Sequence, residues 1–136
     1  MSFLNDMKEF LTQQGIPGEI VVGPMADQPV ECMALLETQG LPPDQMAGVE
    51  TPGLQITVRT DEFAGGYQKL KQAYHALVQI GWEGGQLPEG VIMSGLRYFR
   101  VYPVSSGMAT MEKDEAGHVN MTQEFYVVKE EEKNGN

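Results

Sequence analysis

The segment Leu41 to Arg59, LPPDQMAGVETPGLQITVR, constrains the fold more than any other, because two adjacent prolines and a Pro-Gly pair run straight into an alternating apolar pattern. Pro42 and Pro43 remove two backbone donors and hold the chain extended. Pro52-Gly53 supplies a turn that launches Leu54, Ile56 and Val58 onto one face of a strand, with Gln55, Thr57 and Arg59 on the other. The stretch from Leu41 to Thr51 has no helical or strand period of its own, so a long loop is expected there. Connections in compact domains run to about 4 to 6 residues, and a longer one rich in proline reads as a binding element.

The flanking patterns supply the rest of the fold. A helix is expected from Ser2 to Gln14, with Phe3, Leu4, Met7, Phe10 and Leu11 at helical spacing and Gly15 and Pro17 as its stop. Strands follow at Glu19 to Val22 and at Glu31 to Glu37, the second with a buried Cys32 to Leu36 run. After the strand Leu54 to Thr60, a second helix is expected from Asp61 to Ile80, capped by Thr60 or Asp61, with a core stripe of Phe63, Tyr67, Leu70, Tyr74, Leu77 and Val78. Gly65 and Gly66 cost this helix roughly 1 kcal/mol each relative to alanine, which points to a later start near Tyr67 or to close contact with another backbone.

A glycine-rich connector, Trp82 to Gly90, precedes strands at Val91 to Met93 and Leu96 to Val104. The final hairpin is expected to turn at Lys113 to Gly117 and return along His118 to Val128, with Val119, Met121, Phe125 and Val127 on one face. Ser105 to Glu112 is small and polar apart from Met108 and Met111, so the hairpin is expected to project beyond the sheet there. Residues 1–128 therefore read as a single α+β domain, an antiparallel or mixed sheet with both helices on one face. Lys129 to Asn136 reads as an acidic, disordered tail.

Composition narrows the function by exclusion. A formal charge of −10 over 136 residues repels a phosphate backbone, and Arg97 and Arg100 around Tyr98 and Phe99 make a poor phosphate track. No apolar run reaches membrane-spanning length, and the N-terminus lacks the basic start of a secretory signal. Cys32 is the only cysteine, so no internal disulfide can form. His75 borders the apolar stripe of the second helix. His118 has only Glu124 as a carboxylate on its own strand face, too little for a metal. Asp61 and Glu62 are explained by the dipole of the helix they open. Gly81 to Gly90 lacks the Lys-Ser/Thr ending of a phosphate cradle and leads into a strand. An enzyme is not expected, nor a cofactor. An interaction protein is, and its nine methionines suit imperfectly fitted partners. Its contacts are expected on Leu41, Pro42, Pro43, Asp44, Met46 and Glu50 of the proline segment and on Met108, Met111, Lys113, Asp114 and Glu115 of the hairpin.

The Leu41-Pro42-Pro43-Asp44 segment, the strand entry Pro52 to Arg59, the Tyr67-anchored helix and the Lys113-Asp114-Glu115-x-Gly117 turn occur in an order that resembles the small minor capsid and tail terminator proteins of tailed bacteriophages. The similarity covers nearly all of Phe3 to Val128. The chain departs from the pattern in its long Gly81 to Gly90 connector and its acidic tail. The resemblance implies a virion protein at the head-tail interface. It would form a homo-oligomeric ring, typically of six subunits, that caps the tail tube, stops its polymerisation and docks to the head connector. DNA would pass through the lumen without specific binding, and a negative lining would keep the duplex from sticking. A head completion or connector protein is the alternative within the virion. A small ligand-binding or regulatory domain is the alternative outside it.

Overall fold

The computed structural model describes residues 3–24, 31–44, 48–104, 110–115 and 117–132. Among them the chain forms helix α1 (Phe3–Gln13), strands β1 (Glu19–Val22), β2 (Cys32–Asp44) and β3 (Val49–Thr60), helix α2 (Phe63–Val78), and strands β4 (Val91–Met93), β5 (Leu96–Pro103), β6 (Thr110–Lys113) and β7 (Val119–Glu130). The strands make one sheet in the order β1-β2-β3-β7-β5-β4, with β6 paired to β7 as well. Only β1 and β2 run parallel among these pairs, so the sheet is mixed and the α+β expectation holds.

Alternation along the strands builds the core. Met33 and Leu35 of β2, Leu54, Ile56 and Val58 of β3, and Met121, Phe125 and Val127 of β7 share one sheet face, and both helices pack into the same apolar cluster. Helix α1 contributes Phe3, Met7, Phe10 and Leu11. The α2 face turned inward is Gly66, Leu70, Ala73 and Leu77. Phe63, expected in the core, is 45% exposed and stacks on Tyr67 at 5.5 Å instead. It opens the helix two residues later than expected, after Glu62, which makes no side-chain cap bond; the Thr60 hydroxyl accepts the Glu62 amide at 3.2 Å.

Two expectations are corrected. The segment from Leu41 to Thr51 is not a loop of its own: β2 continues to Asp44 and β3 starts at Val49, pairing Leu41 with Thr51 and Asp44 with Val49 as a long ribbon whose β3 side pairs in turn with the end of β7. Prolines are tolerated because β1 covers β2 only from Cys32 to Leu35, and on the other side the ladder to β3 shifts register between Leu41 and Asp44, so neither Pro42 nor Pro43 has a paired residue to donate to. Pro52 does interrupt a ladder: β3 pairs with β7 at Glu50 and again from Gly53, with no paired residue between. Likewise, Lys129 and Glu130 are not tail but the end of β7, because Lys129 faces the core side in the same alternation as Phe125 and Val127.

The glycine-rich connector is bound against the sheet. Gly81 and Gly90, both at positive φ, lie so close to the backbone of Phe99 and Tyr98 that a Cβ would collide with it, and Ile80 accepts the Val101 amide at 3.1 Å.

Candidate functional site

Strand β7 organises both regions expected to make contacts. Its first residue, Val119, pairs with Lys113 of the final hairpin, and near its other end Lys129 pairs with Glu50 of the ribbon. Those points are ten residues apart, roughly 33 Å at the rise of an extended strand. The structure therefore does not bring the two regions together. It holds them at opposite ends of one central strand. Met46 and Met108 lie outside the described residues, as do Ser105 to Ala109, where the hairpin was expected to leave the sheet.

At the ribbon end Leu41 is 45% exposed and Pro42 is exposed, while Glu50 turns inward to a polar chain. The Lys129 ammonium, only 2% exposed, donates to Glu50 Oε2 at 2.9 Å and to the Glu130 carbonyl at 2.9 Å, and lies 5.6 Å from the centre of the Tyr98 ring. The Tyr98 hydroxyl in turn donates to Asp6 Oδ2 at 2.6 Å, and Ser94 Oγ donates to Asp6 Oδ1 at 2.6 Å. Ser94 sits with Gly95 in the β4–β5 turn, both at positive φ, the geometry of a tight hairpin. Burial, followed by the hydrogen bond to Asp6 and that carboxylate's charge, pushes the Tyr98 hydroxyl far above the ordinary tyrosine range. The chain thus ties β3, β5, β7 and α1 together beneath the ribbon.

The hairpin end is organised differently. Asp114 Oδ1 accepts the His118 amide at 2.9 Å, and Oδ2 lies 3.3 Å from His118 Nδ1 and accepts from Asn120 Nδ2 at 3.4 Å. His118 Nε2 lies 3.7 Å from Asp61 Oδ1, so the turn is moored to the approach of α2. Desolvation, the largest single influence, pushes the Asp114 carboxyl up, but the His118 amide, Asn120 and the His118 ring together outweigh it and hold the carboxyl below its usual range. Met111 is 54% exposed, and Lys113 and Glu115 are exposed. Among the described residues no group of three or more His, Cys, Asp or Glu is placed to hold a metal ion, and no helix is long and apolar enough to cross a membrane.

The two regions expected to make contacts are thus unlike in burial and in partners, and one sheet holds them apart. The model of the family described as "Bacteriophage tail terminator protein" matches residues 10–131. The chain belongs to the bacteriophage tail terminator family. That makes it a member of a structural family of the virion, one whose members meet components of the phage tail and head. The terminator match runs through Lys129 and Glu130, in agreement with their place in β7. No curated protein matches the chain.

Sequence reasoning missed Lys129, Tyr98 and Asp6 as determinants of the terminator's ribbon end. A signal existed for the first: the alternation Met121, Gln123, Phe125, Val127 extends by one step to Lys129, and Leu54, Ile56 and Val58 extend backwards to Glu50. Nothing in the sequence links Asp6 to Tyr98, 92 residues away.

Proposed function

We propose that this protein ends the phage tail by closing as a homo-oligomeric ring, of six subunits, on the head-proximal end of the tail tube. There it stops tube polymerisation and presents the surface to which the head connector docks. The observation that carries this reading is the separation of two unlike contact ends along β7, in a chain of the terminator family. A ring that caps a helical stack needs two different faces, one that copies a tube subunit and one that refuses it. The net charge of −10 suits a collar through which DNA must slide without adhering.

Electron microscopy of particles made without this protein tests the proposal. Overlong, headless tails are expected; emptied heads beside tails of normal length would instead make it a head completion protein. Removing the turn Lys113 to Gly117 while keeping the fold is expected to abolish capping. Normal tail length and normal head joining in that variant would defeat the role given to the hairpin.

A further inference from the structure

A surface groove of about 560 Å³ opens between the C-terminal half of α2 and the outer side of β5, lined by Tyr74, Val78, Trp82, Arg100, Tyr102 and Pro103 among others. Trp82 is 55% exposed, a large apolar area to leave in water. Arg100 is exposed and lies 5.1 Å from the centre of the Tyr102 ring, so the groove combines aromatic walls with a cation on its β5 side, while Glu83 and His75 line its α2 and connector side. Cations are scarce in a chain with 9 basic and 19 acidic residues.

We propose that this groove receives the Leu41-Pro42 segment of a second copy, so that each ring subunit holds the ribbon of its neighbour. The proposal rests on the ring reading above and names its subunit contact. Aromatic-lined grooves take extended proline-containing segments because such segments are already stiff and lose little freedom on binding. Leu41 and Pro42 are exposed on the part of β2 that β1 does not cover. Glu37, exposed on β2, and Asp44 flank them in sequence as the acidic residues nearest the segment, of the sign that Arg100 would attract from a second copy. A subunit cannot fill its own groove, because β3 and β7 stand between β2 and β5, three strand spacings or about 14 Å across the sheet. A contact that joins opposite edges of the sheet is heterologous and repeats head to tail, the kind of contact that builds a ring when its rotation closes.

The test adds full-length variants to tail tubes assembled without the protein. Cys32 is wholly buried, so thiols introduced by Leu41→Cys and Trp82→Cys are the reactive ones. Under mild oxidation on tubes, the chain carrying both substitutions is expected to give a ladder of linked copies, and either substitution alone none. Arg100→Glu is expected to lower the copies bound per tube at least tenfold, with recovery when Asp44→Arg or Glu37→Arg is added. A double-cysteine variant that caps tubes without linking, or that links to a tube subunit, overturns the contact and leaves the terminator function standing. Should the cysteine pair not cap, the charge pair decides: Arg100→Glu protein binding at normal occupancy, or a loss that neither reversed charge restores, overturns the contact. Wild-type protein that fails to stop tube growth overturns the terminator reading itself.

Discussion

The two ends of β7 each hold a positively chargeable group against carboxylates, yet they differ in how much water they admit. Lys129 is sealed beneath the ribbon against the Tyr98 ring, with only its partner Glu50 partly open to water, whereas His118 and Asp114 are both partly open at the margin of the hairpin. Low dielectric makes the first arrangement costly to disturb, and solvent screens the second. The ribbon end is therefore a fixed part of the fold, and the hairpin end can vary in sequence at little structural cost.

Mutations can break or sharpen that contrast. The largest loss of stability is expected from Lys129→Ala, which leaves Glu50 without its partner. Breaking a buried pair costs about 3–5 kcal/mol, and with Glu50 partly open to water about 2–3 kcal/mol is expected in urea unfolding. A loss below about 1 kcal/mol would put the two ends on the same footing and erase the contrast. Tyr98→Phe removes a charge-assisted bond to Asp6 and is expected to cost about 1.5–2 kcal/mol. It should also flatten an alkaline dependence. Because folding raises the Tyr98 pKa, its contribution is complete below the unfolded value of 10.0 and is lost as pH rises above it. Thermal melts of both proteins from pH 8 to 11 read this directly.

At the root of the hairpin, Gly66 lets α2 settle on Thr60 and Met121, where a Cβ would collide with both side chains. For Gly66→Ala, overpacking of about 1–3 kcal/mol is partly offset by about 1 kcal/mol of helix propensity, so a net loss near 1 kcal/mol is expected on unfolding. Asp114→Asn should have the smallest effect on stability. Its carboxyl is depressed by folding, so its contribution is present above the unfolded value of 3.8 and fades as pH falls through the lower folded one. A carboxyl titration followed by NMR checks the depression, and tail length with this variant separates a docking role from a structural one.

Much of the fold was legible because the core alternation is regular. The face Met121, Phe125, Val127 and the stripe of α1 are both buried as their periods require, and the hairpin turn sits where Gly117 and Asp114 allow it. The ribbon was hidden because its two strands carry prolines and register shifts between Thr38 and Asp44, which destroy any period of two. The inward stripe of α2 was misassigned at its start for a related reason: the close approach is made by Gly66, which has no side chain to register in an apolar pattern. The groove behind Trp82 depends on the connector folding back onto β5, a long-range event with no local signature.

Strand order carries one more consequence. The last of the described strands in chain order, β7, lies in the middle of the sheet, between β3 and β5, so the two halves join only after every other described strand has been made. Any product that stops short of Val119 leaves β3 and β5 without their shared neighbour, so truncation is expected to cost the whole sheet and not one edge of it.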